Sequence, residues 1–158
     1  MRKILFTALA ASTLLGGAAN AQNVHINPAK SFISQAVKVP AGSETIYVSG
    51  QLADPVSGSG ATAELGDTKT QTISVLGKIK AILEAQGYTL SDVVMMRVVL
   101  VGDPAKGGKM DFAGMMEGYN QFFGPLENKP ARIASQIAGL ARPGALVEIE
   151  VQAAKPAK

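Results

Sequence analysis

The chain has no cysteine, no tryptophan and a single histidine, His25. Without cysteine there is no disulfide to staple the fold and no thiol to act as a nucleophile or metal ligand. One histidine speaks against a zinc site built from histidine and cysteine, and with that histidine poorly placed and no cysteine no Ser-His or Cys-His catalytic pair is expected. His25 itself falls in a segment without periodicity and reads as an exposed linker residue. Aromatics make up only 5% of the residues, so the core must rest on Val, Ile, Leu, Met and Ala. Neither a basic stripe nor an aromatic stacking motif is present, so no nucleic-acid partner is expected. A lipoprotein is excluded too, because there is no cysteine to carry the lipid.

What is present begins with a targeting pattern. Arg2 and Lys3 precede an uncharged, mostly apolar run over residues 4–15, and Ala19-Asn20-Ala21 follows with small residues at its outer positions. That order predicts a signal peptide over residues 1–21, cleaved after Ala21, and export to the periplasm. The apolar run is shorter than the roughly 20 residues that span a bilayer, so no membrane association is expected after cleavage. Cleavage removes two basic groups. The remaining 13 basic and 12 acidic residues leave a net charge of +1, too small to act as a trap for polyanions.

Residues 22–32 read as a lead-in segment. Alternation over residues 33–39 and again over 45–51, with Pro40-Ala41-Gly42-Ser43 between them, predicts two strands joined as a hairpin. A Gly/Ser/Pro-rich loop covers residues 54–66. Asp67 is placed to cap a helix whose apolar residues Ile73, Leu76, Ile79, Ile82 and Leu83 follow helical spacing, with Gly87 as its stop. Residues 93–101 are apolar everywhere except Arg97 and predict a central strand buried on both faces. Phe112, Met115, Met116, Tyr119, Phe122 and Phe123 form one stripe on a second helix, expected to face the core. Residues 131–138 and 146–153 predict two last strands.

The expected order is β-β-α-β-α-β-β, an α+β domain with both helices on one face of a sheet of five or more strands. Two helices cover only one face. A strand apolar on both sides then needs a second cover, and another copy of the same chain is the simplest.

The chemistry-bearing residues gather in the last strands. Arg132 sits at a strand start just after Pro130. Its planar fork suits a carboxylate, and a structural ion pair or a surface charge fits the same position. In Val147-Glu148-Ile149-Glu150-Val151 the apolar residues share one face and the two glutamates the other.

Seven pieces in order and spacing carry a resemblance: Ile46-Tyr47-Val48-Ser49-Gly50-Gln51, Gln71-Thr72, Leu90-Ser91-Asp92-Val93-Val94, Asp111-Phe112-Ala113, Tyr119-Asn120-Gln121-Phe122-Phe123, Pro130-Ala131-Arg132 and Val147-Glu148-Ile149-Glu150. Together they resemble the Rid family, the reactive intermediate deaminases also called YjgF proteins, with a Rid-like domain over residues 33–154 and a tail over 155–158. The resemblance implies a chorismate-mutase-like α+β fold, a homotrimer and clefts between subunits. It implies that Arg132 holds the carboxylate of a 2-imino or 2-enamino acid, that Ser49 and Gly50 line the cleft, and that Glu148 stands near the attacking water. The products would be a 2-keto acid and ammonia, with no cofactor and no metal. Three positions depart from the pattern: Ile33 where many deaminating members have Tyr, Ala134 where many have Cys, and Met116 where many have Asn. One extra residue separates Arg132 from Glu148. An alternative is a binding module that holds a small carboxylate without turnover. A ribonuclease, implied by older family naming, fits poorly with the near-neutral charge and the missing histidine.

Overall fold

A computed structural model describes residues 22–28 and 31–156; the predicted signal peptide lies outside the described residues. The elements are β1 (Val24–Ile26), β2 (Ala36–Lys38), β3 (Glu44–Leu52), α1 (Thr68–Ala85), β4 (Val93–Val101), α2 (Phe112–Phe123), β5 (Ala131–Ile137) and β6 (Val147–Lys155). The expected order therefore holds from β2 onward, with β1 added inside the lead-in segment. β6 also runs on through Lys155, where a tail was expected.

The main sheet has four strands in the order β3-β6-β4-β5. The last strand of the chain is inserted between β3 and β4, antiparallel to both. β4 and β5 are parallel, and α2 supplies the crossover connection that a parallel pair needs. Residues 33–39 do not form a hairpin with β3. β2 pairs instead with β1 in a separate two-stranded sheet, and β3 takes β6 as its partner. Contacts with the start of β5 hold this segment away. Ser34 forms a parallel bridge with Ala131, its backbone N–H donates to the Pro130 carbonyl at 3.0 Å, and its hydroxyl donates to the Lys129 carbonyl at 2.6 Å.

Both helices lie on one face of the main sheet. Val147, Ile149, Val151 and Ala153 from β6 and Met96, Val98 and Leu100 from β4 are buried against Leu76, Ile79 and Leu83 of α1 and Met115, Tyr119 and Phe123 of α2. Asp67 caps α1 as its position suggests, accepting from the Thr70 N–H at 2.8 Å. The helices approach closely at Gly118, where a Cβ would lie 2.7 Å from the Cβ of Thr72. Buried Gln71 ties two loops to the top of the sheet. Its amide donates to the carbonyls of Gly66 and Gly144, and its oxygen accepts from the Leu146 N–H at 2.8 Å.

Among the described residues no helix covers the other face. Met95 and Val99 are half-buried there, and Arg97 is exposed, so within one chain β4 is fully buried on the helix side only. Tyr47, Ser49, Arg97, Glu150 and Gln152 line a shallow hollow of about 220 Å³ on this open face. Tyr47 projects from it, 73% exposed.

Candidate functional site

Pro130 ends the connection from α2 and leaves Arg132 as the second residue of β5. The register settles which way it points. Arg132 lies opposite Met96, and Met96 lies opposite Val151, so all three side chains point to the helix face. At the edge of the sheet the guanidinium slides under α2. Its carbon lies 4.4 Å from the centre of the Tyr119 ring and 5.9 Å from that of Phe112, both within cation–π range. Nη2 points at the Met116 sulfur, 3.1 Å away. A thioether is a weak acceptor. Nη1 is buried and has no hydrogen-bond partner among the described residues.

This is an unusual environment for a cation. Among the described residues no carboxylate lies within ion-pair distance of Arg132, whereas Arg97 on the open face meets Glu150 at 3.3 Å. The structural ion pair that suited Arg132 on sequence grounds is therefore not formed. Burial pushes the Arg132 pKa below its ordinary value, with the nearby Tyr119 opposing. An arginine stays charged at neutral pH regardless. Burial also raises the Tyr119 hydroxyl to about 12, with Arg132 pulling the other way. Tyr119 thus stays neutral, and its hydroxyl donates to the Phe32 carbonyl at 2.9 Å. The result is a preformed, partly desolvated cation with unused donors. Leaving such a group unmet costs about 1–3 kcal/mol or more, which an anion would recover.

The α2 stripe expected to be core is divided in two. Met115, Tyr119 and Phe123 are fully buried, with Tyr119 and Phe123 stacked at 4.8 Å between centroids. Phe112 and Met116, together with the outer side of the Tyr119 ring, turn to Arg132. The signal for this second stripe is the 112-116-119 spacing, rotated from the 115-119-123 line that faces the core.

Glu148 belongs to the opposite side. It pairs with Val99 and Leu52, which point away from the helices. Between Val48 and Gln51 the β3 ladder is irregular, and both Ser49 and Gly50 stand opposite Glu150. Such a bulge re-aims side chains and brings a neighbouring strand's groups over the backbone. A Cβ on Gly50 would overlap the Glu148 carboxylate, so only glycine lets that side chain lie across residue 50. Ser49, Gly50 and Glu148 thus form one cluster, with Ser49 opening onto the hollow of the open face.

The two clusters do not meet within one chain. Arg132 and Glu148 project from opposite faces, and β4 lies between their strands. That separates the strands by about 10 Å at the usual spacing.

His25 is not an exposed linker residue. It is half-buried in β1, and Nδ1 lies 2.7 Å from the Lys129 carbonyl. It therefore helps dock β1 beside the approach to Arg132. Among the described residues no group of His, Cys, Asp or Glu is arranged to hold a metal ion.

Comparison with known proteins agrees with this architecture. The family model described as Endoribonuclease L-PSP matches residues 23–155. A RutC family protein from Pyrococcus horikoshii is 42% identical over 123 residues, covering 77% of this chain and 86% of the relative. Another RutC family protein, from Saccharolobus solfataricus, is also 42% identical over 123 residues, with the same coverage of 77% and 86%. Among solved structures, a protein of unknown function of the conserved Rid family from Yersinia pestis matches with a TM-score of 0.62 and 29% identity, over 83% of this chain and 97% of that one. The E. coli TdcF structure with bound serine matches with a TM-score of 0.56 and 33% identity, over 74% and 84%. The family model spans nearly every described residue, and with relatives above 40% identity it establishes that the chain belongs to the Rid/YjgF family.

Proposed function

We propose that this protein hydrolyses 2-imino and 2-enamino acids to 2-keto acids and ammonia, in clefts between the subunits of an exported homotrimer. The observation that carries this reading is the Arg132 guanidinium, buried under α2 with, among the described residues, no partner for Nη1 and no acid beside it. A carboxylate is the ligand that satisfies such a fork, through two parallel charge-assisted bonds. The family relative TdcF holds serine, which carries an α-carboxylate.

The remaining steps follow from the chemistry of the C=N bond. An imine carbon is electrophilic, more so once the nitrogen is protonated. Glu148 accepts a proton from water as the oxygen attacks that carbon. The C=N π electrons move to nitrogen and give a tetrahedral carbinolamine. Glu148 returns that proton to the nitrogen, which leaves as ammonia while the carbinolamine hydroxyl gives up its own proton to solvent and the C=O bond forms. Anchoring by Arg132 holds the carbon where the water is aimed, so positioning and one acid–base group suffice. Arg132 and Glu148 project from opposite faces of one chain, so a cleft that joins them draws Arg132 from one copy and the Gly50–Glu148 cluster from the next. The helix-free face of the sheet, with its half-buried β4 residues, is the surface on which the neighbour packs.

The reading is tested by adding the purified protein to an amino-acid oxidase reaction and following keto-acid release with time. Faster release is expected. Binding of 2-keto acids without faster release would identify a receptor for small carboxylates instead.

Gly50→Ala separates function from fold in this cluster. The added methyl displaces the end of a flexible glutamate and no backbone. Thermal stability should stay within about 0.5 kcal/mol of wild type, or rise slightly because alanine restricts the unfolded chain. Turnover should drop about 10²-fold, the usual cost of moving a reacting group by an ångström.

A further inference from the structure

The walls around the Arg132 guanidinium are carbon and sulfur. Met116 places its sulfur on Nη2 at 3.1 Å, and the Tyr119 ring lies 4.4 Å from the guanidinium carbon. Phe112, at the first turn of α2, reaches over the same group and remains 43% exposed. The parallel bridge between Ser34 and Ala131 puts Ile33 on the same side of the strands as Arg132. The hydroxyl of Tyr119 is already committed to the Phe32 carbonyl. Among these neighbours only the arginine has donors left for a ligand.

From this arrangement we infer that the Arg132 cleft selects 2-imino and 2-keto acids bearing a large apolar side chain, with Phe112 and Met116 setting the preference. The inference rests on the carboxylate reading of Arg132 and adds what that carboxylate must carry. A half-exposed phenyl ring beside a desolvated cation gains when an apolar ligand covers it. A small ligand leaves the ring in water. One with a hydroxyl or amide side chain loses its hydration and meets no polar side chain among these walls. In an apolar pocket each additional methylene is worth roughly tenfold or more in discrimination.

The test is calorimetric titration of the full protein with two 2-keto acids, pyruvate and 4-methyl-2-oxopentanoate. They share the carboxylate and the keto group and differ by three carbons of side chain. The larger acid should bind at least about tenfold more tightly. Phe112→Ala, at a partly exposed helix start whose cap comes from Asp111, should remove most of that preference while the protein stays folded. Met116→Asn should do the same by putting an amide beside the guanidinium. Arg132→Lys should weaken both acids alike. Equal affinity for the two acids, a preference for pyruvate, or no binding of either at millimolar concentration overturns the inference. Selective binding without accelerated deamination upholds the preference and removes the deaminase reading, so the two fail separately.

Discussion

Replacing Arg132 with lysine is expected to lower deaminase turnover by about 10²- to 10⁴-fold and to leave the protein folded. Arginine meets a carboxylate with two parallel donors held in one plane, and lysine offers a single, strongly hydrated point charge on a flexible stem. Each hydrogen bond to a charged group is worth about 1.5–3 kcal/mol, and 1.4 kcal/mol is a tenfold change in rate. Losing one arm of the fork and misplacing the other reaches the upper part of that range. The local walls sharpen the effect. A guanidinium can lie flat on the Tyr119 ring at 4.4 Å with its edge free for a ligand. An ammonium group in the same place would have to shed its water against Tyr119, Phe112 and the Met116 sulfur. Steady-state kinetics on one imine substrate measure the loss, and thermal unfolding supplies the control. Arg132 makes no ion pair within the described residues, so removing it breaks no structural charge network. Activity equal to wild type would show that the carboxylate sits elsewhere.

Local pattern and long-range pairing were unequally legible in the sequence. Helical periodicity and the Asp67 cap located α1, and an apolar run broken only by Arg97 located β4, because both are encoded within a few turns or a few residues. Clean alternation over residues 147–151 even gave the right faces, with Val147, Ile149 and Val151 buried on the helix side. Strand partnership is a different matter. Residues 33–39 and 45–51 look like a hairpin because a short turn joins them. What decides the pairing is Ser34 bridging to Ala131, almost a hundred residues away. β1 was invisible for the same reason. It is three residues long and is held by β2, by His25 on the Lys129 carbonyl and by Asn23 on that of Ala154. For the site, residue type and position picked out Arg132 and Glu148. Neither discloses that the two project from opposite faces, because that depends on how β4 registers against both β5 and β6. The partners of Arg132 on α2 carry the pattern of core residues for a related reason. A helix residue at the edge of a sheet has the same composition as one at its centre.

Glu148→Gln is expected to reduce turnover by about 10²- to 10⁴-fold while changing carboxylate binding far less. Glutamine keeps the size and hydrogen bonding of the side chain but cannot accept the proton that attacking water gives up, and that range is usual for a lost acid–base group. On the proposed reading Arg132 anchors the carboxylate in a separate cluster, so KM should move little compared with kcat. The placement of the two residues yields a stronger test. If each cleft joins Arg132 of one subunit to Glu148 of the next, a trimer assembled from the two mutants contains some clefts with neither defect. Such a cleft needs a Glu148→Gln subunit on its Arg132 side and an Arg132→Lys subunit on its Glu148 side. With equal amounts mixed at random, unfolded together and refolded, each requirement is met half the time, so about a quarter of the clefts are intact in a closed ring. Two inactive proteins should therefore regain roughly a quarter of wild-type turnover when refolded together, and none when mixed without unfolding if subunits exchange slowly. A refolded mixture that stays inactive, with wild type regaining activity under the same treatment, would mean that both residues serve one subunit's site. The opposite faces of the sheet on which Arg132 and Glu148 stand argue against that outcome.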